Sequence, residues 1–276
     1  FFILLMICSG GVISKIHAQQ VNIGSSSWVI NNGANIVVNG KVVNAGTIAN
    51  SGTGTIKLTG DWQNDGSYTS TGCTVTLQGT TLQTIGGANA TSFENLTLNN
   101  SAGATLSKGI TVNNTLTFTI GKFTTGANIL TLGSSATVSG AGTGKYVYGN
   151  IQWTLPGSGS PSKTFPVGDA TSYAPIQVDF SGLSGGGTVT GSTTAGPHSN
   201  GLTSGISGGK LVNRYWTLTN SGTTFTSCDA TFTFVTGDIL GGANTNNFIV
   251  KEWASSAWNS TNISTRTSNS TKITGL

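Results

Sequence analysis

The chain has 276 residues, of which 7% are charged, and its formal net charge is +4. Its Lys and Arg residues are scattered singly, which excludes the clustered basic surface that nucleic-acid-binding proteins use. Thr, Ser, Asn and Gly alternate with Val, Ile, Leu, Phe and Trp, a pattern that favours strands and turns over helices. We therefore predict an all-β protein without a nucleic-acid partner.

The first 18 residues have the features of a secretory signal peptide that lacks its start. Phe1–Ile7 is an unbroken apolar run, Phe1 stands where an initiator Met is expected, and Ala18 precedes Gln19. An apolar core followed by a small residue is typical of a signal peptide and its cleavage site. We predict a signal peptide at residues 1–18, truncated at its N-terminus, with a buried N-terminal strand as the alternative. No later segment reaches the roughly 20 apolar residues that a membrane span needs.

Five short blocks in the next part of the chain share one pattern, in which the second and fourth residues are apolar. They are Thr55–Leu58, Thr74–Leu77, Asn95–Leu98, Thr115–Phe118 and Ile129–Leu132. The first three intervals between block starts are 19, 21 and 20 residues, and the last is 14. Apolar residues two apart point to the same side of a strand, and so short a unit buries that side only by stacking on its neighbours. The period predicts stacked coils, with a shortened coil at the end.

We therefore predict a parallel β-solenoid, similar to a β-helix, over residues 19–144. Turns such as Asn50–Gly52 and Asn64–Gly66 separate its strands, and Asn and Gly tolerate the left-handed backbone of sharp corners. A β-sandwich with Gly-rich hairpins is the alternative, because short strands at regular spacing occur in both folds.

The pattern changes after the Gly-rich segment 140–144. Longer candidate strands with more aromatic residues follow at Lys145–Leu155, Lys163–Pro166, Ala174–Phe180, Thr188–Thr193, Leu211–Thr219, Ala230–Val235 and Phe248–Trp253. Such strands, separated by turn signals, are typical of an antiparallel β-sandwich, which we predict over residues 145–276. The Gly- and Ser-rich stretch 181–209 is predicted to contain a long surface loop. The chain stops without a structural end signal, so we expect the sandwich to be truncated at its C-terminus.

Residues suited to catalysis are few. His198 is the only His after the predicted signal peptide, and its Gly- and Pro-containing surroundings predict a solvated loop residue. Two G-x-S-x-G segments, 182–186 and 205–209, lack the strand–turn–helix setting that gives this motif its meaning. We predict no catalytic residue and no cofactor.

Carboxylates are also few, and the predicted solenoid contains only Asp61, Asp65 and Glu94. Glycoside hydrolysis needs two facing carboxyl groups, which this set hardly supplies. Asp61 and Asp65 offer oxygen ligands of the kind that calcium prefers. Asp65 also precedes Gly66, a pairing that is typical of turns. We favour turn formation and predict no metal site.

Three Cys residues are present, and Cys8 falls within the predicted signal peptide. Cys73 and Cys228 remain, and a secreted protein permits a disulfide between them. They lie in different predicted domains, so two separate thiols are favoured and the bridge is the alternative.

Tryptophans near the C-terminal end are the best candidates for ligand binding. An exposed Trp offers an aromatic face on which a sugar ring can stack, whereas a buried one fills the core. Trp216 alternates with Leu218 and is predicted to lie in the core. We predict Trp253 and Trp258 as ligand-binding residues, with Trp258 the more exposed because it lies in a Ser-rich stretch.

Three segments carry a family resemblance: Phe93–Asn100, Thr164–Asp169 and Arg214–Leu218. They resemble large secreted cell-surface proteins of Bacteroidetes, which are adhesin-like substrates of type IX secretion. The resemblance spans most of the mature chain but rests on structural motifs and brings no functional residues. It implies a location on the outer-membrane exterior of a Gram-negative bacterium. Such proteins usually end in a C-terminal sorting domain, and we expect this chain to be a fragment that stops before it.

These features predict a non-enzymatic extracellular surface protein that acts as a structural spacer or adhesin segment. Glycans or other cell-surface proteins are the expected partners. The alternative is a carbohydrate-binding module of a larger secreted enzyme, which an exposed Trp253 or Trp258 would favour. A polysaccharide lyase or hydrolase is a third hypothesis, and it needs clustered acids and bases on the solenoid.

Overall fold

A computed structural model describes residues 6–7, 20–25 and 28–276, with residues 6–7 and 28–32 described by their backbone alone. The predicted signal peptide lies outside the described residues, apart from a short parallel pairing of Met6–Ile7 with Ile30–Asn31, and it stays a prediction. Strands make up 58% of the structure and helices 4%, which confirms the all-β prediction. The chain divides into two compact units, Phe1–Asn150 and Ile151–Leu276.

The first unit is a parallel β-solenoid of about seven turns, which confirms the predicted fold. Its strands are β1 (Met6–Ile7), β2 (Gln20–Ile23), β3 (Trp28–Asn32), β4 (Asn35–Val38), β5 (Lys41–Asn44), β6 (Thr47–Ser51), β7 (Thr55–Leu58), β8 (Trp62–Asn64), β9 (Ser67–Ser70), β10 (Thr74–Leu77), β11 (Gln83–Gly86), β12 (Thr91–Asn99), β13 (Ala104–Leu106), β14 (Ile110–Ile120), β15 (Phe123–Leu132) and β16 (Thr137–Ser139). Most of these strands pair in parallel with the strand about 20 residues further along the chain, so one coil lies directly on the next.

The first four predicted blocks stack in register. Thr55, Thr74, Asn95 and Thr115 align across β7, β10, β12 and β14. The second residues of these blocks, Ile56, Val75, Leu96 and Leu116, are all buried. This column and the buried column formed by the fourth residues build the interior that no single coil could bury alone.

The prediction of a shortened terminal coil is wrong. Ile129–Leu132 does not continue the column of blocks, because Leu130 pairs with Ile110 at the start of β14. The column continues instead at β16, where Thr137 pairs with Thr115. The 14-residue interval therefore separates two strands of one coil that lie on different sides of the solenoid.

Polar side chains fill the interior corners of the solenoid. Asn44 and Asn64 are buried, and Asn44 Nδ2 donates to Asn64 Oδ1 at 2.8 Å. Gln83 Oε1 accepts hydrogen bonds from Gly79 N at 2.8 Å and from Asn100 Nδ2 at 2.9 Å. Buried polar groups cost stability unless they are paired, and these bonds join successive coils through their corners.

The glycines at the two predicted corners have different roles. Gly52 has φ +68°, the left-handed conformation that we predicted for such turns. At Gly66, a Cβ atom would collide with the backbone carbonyl of Gly46 in the preceding coil. Close approach of two coils, rather than backbone conformation, requires glycine there.

The second unit contains antiparallel sheets. Its strands are β17 (Val147–Leu155), which starts in the first unit, β18 (Ser162–Phe165), β19 (Val167–Gly168), β20 (Ile176–Ser181), β21 (Gly187–Ala195), β22 (Arg214–Ser221), β23 (Ser227–Thr233), β24 (Lys251–Ala254), β25 (Ala257–Ser260), β26 (Asn262–Arg266) and β27 (Ser270–Thr274). In one sheet β17, β21 and β22 pair in that order and β17 also pairs with β19, while the other sheet has the order β18–β20–β23–β27–β26 and β24 and β25 form a separate hairpin. The helices among the described residues are the 3-10 turns Gly201–Thr203, Thr236–Asp238 and Thr245–Asn247, none of which has the length or apolar character of a membrane span.

The two larger sheets pack face to face, which confirms the predicted sandwich. Phe165 is fully buried, and a Cβ atom on Gly191 of the facing sheet would lie 2.6 Å from its ring. Trp216 and Phe232, also from opposite sheets, have ring centroids 5.2 Å apart. Trp216 is half-buried, so the prediction that it lies in the core is only partly confirmed. Its indole N–H donates to Ala174 O at 2.9 Å.

The contacts divide the chain after Asn150, whereas the sequence prediction placed the boundary after Gly144. The residues between them belong to the last coil, because Phe123 N donates to Tyr146 O at 3.0 Å and Tyr146 is buried. Cys73 lies in the first unit and Cys228 in the second, and both are buried free thiols.

Candidate functional site: an aromatic cluster on the second unit

The hairpin β24–β25 brings the two predicted ligand-binding residues together. Trp253 and Trp258 are directly opposite partners across the two strands, and their ring centroids are 5.1 Å apart. The turn between the strands consists of Ser255 and Ser256, which have φ of 50° and 62°. Two left-handed residues give the turn the twist that a two-residue hairpin needs. The hairpin thus fixes both indoles on one of its faces.

Two further aromatic side chains complete the group. The His198 ring lies 5.2 Å from the Trp258 ring and 5.8 Å from the Trp253 ring. Tyr215, near the start of β22, lies 5.1 Å from His198 on another side. We call His198, Tyr215, Trp253 and Trp258 the aromatic cluster. The contribution of His198 and Tyr215 was not predicted from the sequence, because both come from parts of the chain distant from the hairpin.

Hydrogen bonds hold the loop around His198 against the hairpin. Trp258 Nε1 donates to Asn200 O at 2.8 Å, and Asn200 N donates to His198 Nδ1 at 3.2 Å. Because Nδ1 accepts a hydrogen bond, a neutral His198 carries its proton on Nε2. The loop and the hairpin therefore position the four rings together.

Exposure within the cluster differs from the prediction. Trp253 is the more exposed tryptophan, at 36%, whereas Trp258 is half-buried. The prediction that Trp258 is the more exposed is wrong because its indole N–H is bonded to the loop and His198 packs against its ring at an interplanar angle of 80°. Trp253 is the ring that offers surface to a ligand, and Trp258 supports it.

The polar surroundings of the two tryptophans follow from strand alternation. Lys251 and Ser260 are the next pair on the same face of the hairpin, and Lys251 Nζ donates to Ser260 Oγ at 2.9 Å. Glu252 and Asn259 pair on the opposite face. The face with the tryptophans therefore carries a cation and a hydroxyl, while the carboxylate points the other way.

A buried ion network lies next to the cluster in sequence and fixes the start of β22. Arg214, the residue before Tyr215, contacts Asp169 at 2.6 Å and Asp238 at 2.9 Å. Its side chain is 1% exposed. This network was not predicted from the sequence, although Asp169 and Arg214 both lie in segments that carry the family resemblance.

The pKa of Asp169 reflects this network. Burial by itself raises the pKa of the carboxyl group, but hydrogen bonds from the amides of Thr171 and Ser172 and the contact with Arg214 outweigh it, so that the pKa lies below its usual range. Asp169 therefore stays charged, and the network is an ion-paired support rather than a proton donor.

Other carboxylates also have structural partners. Asp61 Oδ1 accepts from Thr84 N at 2.7 Å, and Asp65 Oδ1 accepts from Ala88 N at 2.7 Å. These bonds link each corner to the following coil. Within the part of the chain that the structure describes, no group of three or more His, Cys, Asp or Glu residues is arranged to hold a metal ion.

Comparison of the chain with protein-family models, with curated proteins and with solved structures gives no match. The resemblance to secreted Bacteroidetes surface proteins therefore stays a prediction, and functional arguments rest on the geometry of this chain alone.

Proposed function

We propose that the chain is a non-enzymatic segment of an extracellular surface protein, in which the solenoid serves as a structural spacer. The observation that supports this function most is the register of the coils, where Thr55, Thr74, Asn95 and Thr115 lie at equivalent positions of four successive turns. About seven turns at the strand spacing of ~4.8 Å give the solenoid a length of roughly 34 Å. Stability of such a stack comes from contacts between neighbouring coils, so length can change without loss of the fold.

Most carboxylates of the second unit form ion pairs, which supports a non-enzymatic role. Asp169 and Asp238 are bound to Arg214, and Asp179 and Asp229 are each 3.2 Å from Lys272. Glycosidase chemistry needs a facing pair of carboxyl groups that are free to act on a substrate. Here the acids hold strands together.

The proposed location is the outer surface of a Gram-negative bacterium, reached through a signal peptide at residues 1–18. The apolar run before Ala18 and the resemblance to type IX secretion substrates support this location. Mass spectrometry of the N-terminal peptide of protein recovered from the surface of a Bacteroidetes host tests it. We expect a mature chain that begins at Gln19; an uncleaved chain in the cytoplasm would contradict the proposal.

Duplication of one coil tests the spacer role. Residues 74–94 form one period, because Thr74 and Asn95 occupy equivalent positions. We expect a chain with a second copy of this segment to fold, to keep the oligomeric state of the original chain and to unfold with at least the original free energy, because one coil-to-coil contact has been added. A duplicate that aggregates or fails to fold would show that the coils are not interchangeable units.

A second candidate function is carbohydrate binding, as a surface adhesin or as a module of a larger secreted enzyme. The aromatic cluster favours it, since Trp253 exposes part of its ring beside polar groups of the hairpin. In contrast, Trp62 and Trp153 are buried, and the ring of Trp153 lies 4.2 Å from Lys163 Nζ. A glycan array probed with the wild-type chain and with Trp253→Ala tests this function. Binding that the substitution weakens supports it, and a wild-type chain that binds no glycan contradicts it.

A further inference from the structure

We infer that the aromatic cluster is specific for acidic carbohydrates, with Trp253 stacking on the sugar ring and Lys251 binding its carboxylate. This inference rests on the carbohydrate-binding function proposed above and narrows it to one class of ligand. It follows from three properties of the hairpin: the placement of Lys251, the state of its ammonium group and the location of the nearby acid.

Lys251 is placed within reach of a sugar that lies on Trp253. The two residues are two positions apart on β24 and point to the same face, with Cα atoms about 6.6 Å apart at the usual rise of a strand. This separation is similar to the width of a pyranose ring with its carboxyl substituent. A ring on the Trp253 indole can therefore present its carboxylate toward the Lys251 ammonium.

The ammonium of Lys251 has a neutral partner. Its Nζ donates to Ser260 Oγ at 2.9 Å, and among the described residues its side chain takes part in no ion pair. A hydroxyl partner leaves the charge of the lysine uncompensated and keeps two further N–H donors for a ligand. Ser260 also restricts the flexible side chain, which reduces the entropy that binding would cost.

The acid nearest in sequence does not compete for this cation. Glu252 alternates to the opposite face of the hairpin, where it pairs with Asn259. Asp179 on β20 and Asp229 on β23 form ion pairs with Lys272. The loop residues Asp169 and Asp238 form ion pairs with Arg214. The Trp253 face is thus positive and aromatic, which complements a ring with apolar C–H groups and a negative substituent.

The experiment compares oligosaccharides that differ only in charge. Isothermal titration of the full chain with a panel of uronate oligosaccharides, and with their neutral methyl esters, separates stacking from charge recognition. We expect the acidic form to bind about three- to fivefold more tightly than its ester, which is the upper part of the range of an exposed ion pair. This preference should fall as NaCl rises, because salt screens an exposed pair.

Two variants at neighbouring positions complete the test. Lys251→Gln should remove the preference for the acidic form, so that acid and ester bind equally, whereas Glu252→Gln, on the opposite face, should leave the preference as it is in the wild type. Trp253→Ala should weaken both ligands by roughly two- to tenfold. Melting temperatures confirm that each variant is folded, and the salt dependence of the wild-type chain gives a second readout that needs no variant.

The outcomes separate the two proposals. Equal binding of acid and ester, or an acidic preference that survives in Lys251→Gln, would overturn the inference and leave carbohydrate binding standing. A wild-type chain that binds neither the uronates and their esters nor any glycan on the array would overturn both.

Discussion

Arg214→Met removes the cation that joins Asp169 and Asp238 and keeps a side chain of comparable length. The Arg214 side chain is 1% exposed and those of its partners are 11% exposed, so solvent screens the lost interaction little. Removing one partner of a buried ion pair costs about 3–5 kcal/mol. The Val235 amide still donates to Asp238 at 3.1 Å, and Asp169 keeps its own amide donors, so we expect the lower half of this range, about 3–4 kcal/mol.

The loss of stability should depend on pH in a defined direction. The pKa of Asp169 in the folded chain lies below its ordinary value of 3.8. A lowered carboxyl pKa contributes stability that is fully present above the ordinary value and is lost as pH falls through the folded-state value. The difference between wild type and Arg214→Met should therefore be largest near pH 7 and shrink as pH falls below 3.8.

Urea denaturation at pH 7 and at pH 3 measures this difference, and hydrogen exchange assigns the affected transition to residues 151–276. Lys272→Met is the matched control, because it removes a cation from two partly exposed acids, Asp179 and Asp229, and should have little effect. A loss below ~1 kcal/mol for Arg214→Met at pH 7, or a loss of equal size at both pH values, would refute the argument.

Two further predictions concern the interior of each unit. Leu96→Ala should lower the free energy of unfolding by about 2–5 kcal/mol in urea titrations, because Leu96 is fully buried between coils. Thr97→Ala, on the outer side of the same strand, should lower it much less. Equal losses in the two variants would contradict the stacking account. Burial, with smaller contributions from Asp229 and Glu252, raises the pKa of Cys228 to about 11. We therefore expect the Cys228 thiol to react with iodoacetamide at pH 8 only in the unfolded chain. Rapid labelling of this thiol in the folded chain would contradict its buried position.

The solenoid was predictable because its signal is local and repeated. Alternation places Ile56 and Leu58 on one side of their strand, and the same pattern returns at equivalent positions of the next coils. Alternation does not tell which side of a coil a strand occupies. Ile129–Leu132 has the same pattern as the other blocks, but it pairs with the start of β14 rather than with Thr115.

The candidate site was predictable only in part, for a different physical reason. Trp253 and Trp258 lie on two strands that a two-residue turn joins, so their meeting follows from a local hairpin. The contacts of His198 and Tyr215 with them depend on how a loop and a distant strand pack, and composition or spacing carries no signal for that. The relative exposure of the two tryptophans depends on the same loop, through the bond from Trp258 to Asn200, and could not be predicted.

Coil-by-coil hydrogen exchange of the intact chain tests most directly whether the solenoid is one cooperative spacer. The amides of β7, β10, β12 and β14 pair with successive coils, and the buried columns beneath them are continuous. The account predicts that these amides exchange slowly and at similar rates, because opening one coil breaks the contacts of its neighbours. If the amides of one of these central strands exchanged within seconds while the strands on both sides stayed protected, the coils would open independently and the spacer account would be contradicted.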